Sequence, residues 1–138
     1  MKIERAFEDS YRITWFLYVE DETKTCKVRN YLDKRPPEAR NKLIARMKQF
    51  AEQGDWNTRV GFIKRLDLPD YLADVTIYEV KVKHSQDRLL FIRHRDDAIA
   101  LDAMQKQDDW SKKDHRVLEK TVKTARGIFS RYHGGNKR

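Results

Sequence analysis

Apolar and polar positions alternate in a few distinct ways along this chain. In "YRITWFLYVED" (Tyr11–Asp21), Ile13, Trp15, Leu17 and Val19 fall on one face of an extended segment. Phe16 and Tyr18 fall on the other. Two apolar faces predict a strand well inside a sheet. The next stretch, "CKVRNYLDKRPPEARNKLIARMKQFAEQG", predicts two helices. Val28, Tyr31 and Leu32 mark a short first one, and Pro36-Pro37 stop it and suit the first turn of the second. Ala39, Leu43, Met47, Phe50 and Ala51 keep helical spacing up to Gly54, a natural C-terminal cap.

Turn-forming residues follow, with "GFIKRL" as a short edge-strand candidate. "VTIYEVKVK" (Val75–Lys83), "RLLFIRH" (Arg88–His94) and "AIALDAMQ" (Ala98–Gln105) read as three strands joined by short turns, an antiparallel meander. Ser111 reads as an N-cap with Asp114 three residues on. Val117, Leu118, Thr121, Val122, Ala125, Ile128, Phe129 and Tyr132 then form one helical stripe. The order β-α-α-β-β-β-α predicts an α+β fold, an antiparallel sheet with its helices on one face. Residues 1–132 form one domain in this reading, and 133–138 a flexible basic tail.

The simplest register puts Val80, Val82, Leu89, Phe91, Ala100 and Met104 on the face that meets the helices. Glu79, Lys81, Arg88, His94 and Gln105 then share the other face with Leu90, Ile92 and Leu101. Asp102 and Arg93 point toward the core in this register and fit it badly. A slip of one residue would exchange the faces.

Composition sharpens the picture. The chain has 138 residues, 39% apolar and 38% charged, with six Phe, six Tyr and three Trp. That is polar for a globular protein, yet too aromatic for a disordered one. The net charge of +8 suits a polyanionic partner such as nucleic acid, an acidic protein or a membrane surface. Nine cations against two acids lie from Ser111 onward, so this last segment carries most of the excess. The single cysteine, Cys26, excludes an internal disulfide and a thiolate cluster. The N-terminus lacks a signal-peptide run and no segment approaches a membrane span, so a reducing cytoplasm is the simplest expectation.

The polar sheet face carries candidate chemistry. Glu79 and His94 can exchange protons, while Lys81, Arg88 and nearby Lys106 are fixed cations. Such a set suits cleavage of RNA: a base takes the proton of a 2′-hydroxyl, the oxygen attacks the adjacent phosphate, and cations stabilise the added charge. No cofactor is called for, and no convincing metal site is present. The plain alternative is an exposed sheet face with cross-strand ion pairs. Cys26, His84, His115 and His133 read as bystanders or surface residues. Trp56 and Trp110 suit either packing or base stacking. For the basic last helix, phosphate tracking and a solvated amphipathic face are both open.

Taken together, the strand Tyr11–Val19, "VRNYLDKRPPEARNKLIARMKQFAEQG", "IYEVKV", "RLLFIRH", "IALDAMQK" and the terminal "AR" helix resemble the RelE/ParE toxin superfamily, in its HigB-like, phage-derived branch. There, the helical pair is followed by strands like "LYELR", "YRILYF" and "LLHAFVKK" and then a helix. The resemblance runs over nearly the whole chain in order, without one diagnostic motif. It implies the toxin of a type II toxin–antitoxin pair, a metal-independent, ribosome-associated endoribonuclease acting on mRNA. Its partners would be a small antitoxin encoded nearby, of helix-turn-helix type, together with the ribosome and mRNA, and no membrane.

By the same resemblance, Lys81 stands at the family's strand-end arginine, Arg88 at the arginine opening the next strand, and Lys106 at the first lysine of "KK". These cations would hold the scissile phosphate, with His94 or Glu79 as acid–base partner. Arg93, Lys112, Lys113, Arg116, Lys120, Lys123 and Arg126 would add affinity for RNA. Asp102, Met104 and Gln107 depart from the family's His, aromatic and second Lys. Lys81 keeps charge but loses the bidentate geometry of arginine. Two other functions remain open in the sequence: a ParE-like inhibitor that binds DNA gyrase, and a catalytically inactive nucleic-acid-binding relative.

Overall fold

The aromatic strand forms as Thr14–Val19 (β2), and its Ile13–Val19 stripe is buried as the alternation requires. In this computed structural model the described residues are 2–9, 11–57, 61–106 and 112–132. The helical pair is Lys27–Lys34 (α1) and Pro37–Gln53 (α2). Pro37 begins α2, and Gly54 ends it in the left-handed conformation, φ 65°, with its N–H donating to the Phe50 carbonyl. Cys26 is more than a bystander: it is the buried N-cap of α1, and its Sγ accepts from the Arg29 N–H.

The other strands are Lys2–Arg5 (β1), Ile63–Arg65 (β3), Tyr78–Lys81 (β4), Asp87–His94 (β5) and Asp97–Gln105 (β6). Lys112–Tyr132 forms α3. The six strands lie in one sheet in the order β1-β2-β6-β5-β4-β3. The predicted meander β4-β5-β6 is antiparallel, and "GFIKRL" contributes β3 at the edge beside β4. The polar "KIER" of β1 is a strand the pattern does not predict. The sheet is not wholly antiparallel either, because β2 pairs with β6 in parallel, Trp15 opposite Ala98 and Leu17 opposite Ala100.

The helices do not share one face of the sheet. Against α1 and α2 pack Trp15, Leu17, Val80, Leu89, Phe91 and Ala100, closed by Val28, Leu43, Met47 and Phe50. The indole of Trp15 donates to the Met47 carbonyl at 2.8 Å and meets the Phe91 ring edge-on at 4.8 Å. On the opposite face Leu90, Ile92, Ile99, Leu101 and Met104 pack under Leu118, Val122, Ala125 and Ile128 of α3. Because both faces are covered, the run Leu89–Ile92 is apolar throughout.

A β-bulge corrects the expected register. Leu90 lies opposite Asp102, but Phe91 lies opposite Ala100, so Leu101 is the extra residue. The insertion rephases the end of β6 and turns Met104 to the α3 face, away from its expected partners Leu89 and Phe91.

Candidate functional site

Three strand ends meet at one edge of the molecule. Lys81 is the last residue of β4, and its N–H donates to the Phe62 carbonyl at 2.9 Å. Arg88 is its direct cross-strand partner at the start of β5. Lys106 follows β6, its N–H donating to the Gln86 carbonyl at 2.8 Å. The fold thus brings these three predicted cations to the same end of the sheet. Glu79 shares their sheet face, yet it is buried, with Oε1 3.6 Å from Arg88 Nε. The expectation of a solvent-facing acid or base at Glu79 does not hold.

His94 does not join them. It lies six residues beyond Arg88 on β5, about 20 Å away at strand rise, where its ring meets Tyr132 edge-on at 5.8 Å. Arg93 lies on the α1/α2 face, which explains its poor fit to a buried position. Its guanidinium sits 4.9 Å over Trp56 and its Nε donates to the Arg95 carbonyl.

The turn from β4 to β5 is fixed by several bonds. The Ser85 N–H donates to Val82 O, the Asp87 N–H to Ser85 Oγ, and Arg88 Nη1 to the carbonyls of Ser85 (2.8 Å) and Asp87 (2.9 Å). His84 occupies the turn at φ 63°. That left-handed conformation is uncommon for a residue with a Cβ. Beneath the turn the buried Asp87 carboxylate accepts from the Tyr31 hydroxyl and pairs with Arg35 Nε at 3.1 Å. Burial, and then the bond to Asp87, hold the Tyr31 phenol protonated well above its ordinary range.

A cleft of about 500 Å³ opens at this turn. Arg46, Phe62, Lys81, Lys83, His84 and Arg88 line it. Arg46 reaches in from α2 with its guanidinium 5.2 Å over the Phe62 ring. Arg46, Lys83 and His84 are site residues the sequence reading missed. Lys83-His84 lies between two cationic strand ends, a usable signal, whereas nothing in the sequence links Arg46 to Lys81.

On α3, Arg116, Lys120 and Lys123 are exposed and share one outward stripe. Because Tyr132 packs near His94, α3 begins at the end of the sheet where Lys81 and Arg88 lie. Arg126, expected on RNA, is instead held by Asp74 (2.6 and 2.9 Å) and the Tyr71 carbonyl. The side chains of Lys112 and Lys113, and the expectations at Gln107, Trp110, Ser111 and 133–138, lie outside the described residues. Among the described residues no group of three His, Cys, Asp or Glu could hold a metal ion, and no helix is long and apolar enough to cross a membrane.

A mixed sheet between a helical pair and a long basic helix, with a cationic cleft at its strand ends, defines a small α+β domain suited to an anionic ligand. A family model described as "Phage derived protein Gp49-like (DUF891)" matches residues 30–129, which include every residue lining that cleft. The chain belongs to this family, a RelE-toxin-like family of toxin–antitoxin systems. No match is found among curated proteins.

Proposed function

We propose that this protein is the toxin of a type II toxin–antitoxin pair, of the HigB-like branch, and that it cuts mRNA on the ribosome. The observation that carries the reading is the cleft at the β4–β5 turn, where Arg46 of α2, Lys81 of β4, Lys83 of the turn and Arg88 of β5 converge. A scissile phosphate gains negative charge in the transition state, and fixed cations aimed at it lower the barrier without reorganising. The Arg46–Phe62 stack offers a plane on which an unpaired base can lie. The α3 stripe extends the positive field from the same end of the sheet. A small antitoxin would neutralise the toxin in the cytoplasm by covering this cationic edge.

Inducible expression tests the reading. The wild-type chain should arrest growth and leave transcripts cut within codons, and Lys81→Ala should lower the cutting rate by about 100-fold or more. A harmless wild type, or arrest with intact mRNA and DNA-damage signalling, would instead favour a gyrase-directed or other non-nuclease protein.

A further inference from the structure

We infer that His84 is the proton-transfer residue of the cleft, an inference that rests on the nuclease reading above. Cleavage through the 2′-hydroxyl needs a group that takes a proton near neutral pH. Histidine is the side chain suited to that exchange. The two candidates expected from the sequence are badly placed. Glu79 is sealed from solvent against Arg88, and His94 lies at the far end of β5. Lysine and arginine ordinarily keep their protons well above neutrality, so the cleft's Arg46, Lys81, Lys83 and Arg88 serve as fixed charges. His84 is exposed, lines the same cleft, and follows Lys83 directly.

The backbone supports the assignment. His84 is held in the left-handed region by a turn tied at Val82, Ser85, Asp87 and Arg88. Lys24, His84 and Arg95 are the left-handed non-glycine residues among those described, and of these His84 alone lines the cleft. In the reaction, the neutral imidazole takes the 2′-hydroxyl proton while O2′ bonds to phosphorus and the bond from phosphorus to O5′ breaks. The leaving O5′ takes a proton from water in the open cleft, and the imidazolium returns its proton to solvent. The products are a 2′,3′-cyclic phosphate and a 5′-hydroxyl.

His84→Gly tests this cleanly, because glycine accepts the positive φ without strain while removing the imidazole. The full-length variant is assayed on ribosomes programmed with a synthetic mRNA under single-turnover conditions. The expected rate is about 100- to 10,000-fold below wild type, and added free imidazole should restore cutting in proportion to its concentration. His84→Asn, which also tolerates this backbone, should be slow as well. A full rate in either variant, or a lost rate that imidazole does not restore, overturns the role of His84. A wild-type chain that leaves the programmed mRNA intact overturns the nuclease reading and this inference with it, whereas a wild type that cuts while His84→Gly cuts equally well overturns this inference alone.

Discussion

Arg88 Nε stands 3.6 Å from Glu79 Oε1, and Glu79 is only 3% exposed. The arginine therefore serves two ends at once. It presents charge to the cleft, and it neutralises a carboxylate that the fold has taken out of water.

Substituting Arg88 should be costly for that reason. Arg88→Ala leaves Glu79 buried without its counter-ion and removes two bonds to the turn carbonyls. The expected loss is roughly 3–5 kcal/mol, against about 0.5 kcal/mol or less for Lys81→Ala at the neighbouring, partly exposed position. Chemical denaturation of both variants checks this. Equal losses would show that the Glu79 pair does not support the fold, and a large activity loss in Arg88→Ala is interpretable only beside such a measurement.

Tyr31→Phe should cost about 1.5–3 kcal/mol at neutral pH, the usual value of a hydrogen bond to a charged group, because Asp87 is 2% exposed and loses a donor. The variant should also change the alkaline limb. The folded chain keeps the Tyr31 proton above the ordinary value of 10.0, where the unfolded chain releases it. Stability from this group is therefore full below that value and falls as pH rises above it. Melts across alkaline pH should show a shallower decline for Tyr31→Phe than for the wild type; parallel declines would contradict the assignment.

Asp102 behaves in the opposite sense to a salt-bridged carboxylate. Burial raises it above its ordinary 3.8, only partly countered by the Ala103 N–H and by Lys27 at 3.9 Å. The folded chain holds this proton to higher pH than the unfolded chain, so stability falls as pH climbs from 3.8 through the raised value. Asp102→Asn should raise Tm near neutrality, with the gain shrinking to nothing below about pH 4. A pH-independent difference would point to packing instead.

The cations of α3 should separate into two groups. Replacing Arg116, Lys120 and Lys123 with alanine should reduce the salt dependence of RNA binding, lowering the slope of log K against log salt by about 2 if each meets one phosphate of a single strand. Arg126→Ala should leave that slope alone and lower stability only slightly, because its pair with Asp74 is fully exposed. An unchanged slope in the triple variant would make the stripe a solvated face.

Much of the fold can be read from local pattern because local chemistry decides it. Pro36-Pro37 and Gly54 bound the second helix, the short turns set the β4-β5-β6 meander, and the α3 stripe has an unbroken helical period. The polar "KIER" becomes a strand only through its partner β2, so it carries no signal of its own. The side of the sheet that α3 covers was implicit in Leu90, Ile92 and Leu101, whose apolar character demanded a cover. The bulge at Leu101 has no comparable marker, and it displaced Met104.

The site divides similarly. The neighbours Lys81 and Arg88 follow from the short turn between their strands. Pairing across one sheet face grouped Glu79 with them correctly but could not show that the fold would bury it. His94 shares their face too, and distance along β5 is what separates it. Arg46 enters the cleft from α2 through tertiary packing alone.

The parallel pairing of β2 with β6 bears on how the chain is made. Thr14 through Leu17 leave the ribosome long before their partners Asp97 through Ala100, with both helices and two strands of the meander made in between. The middle of the sheet therefore closes late and across a long loop, the slow kind of contact in folding. A nascent or prematurely ended chain stopping before β6 holds both helices and the β4–β5 turn but lacks the strand that joins its two halves. Whatever this chain does, the fold withholds it until β6 has been made.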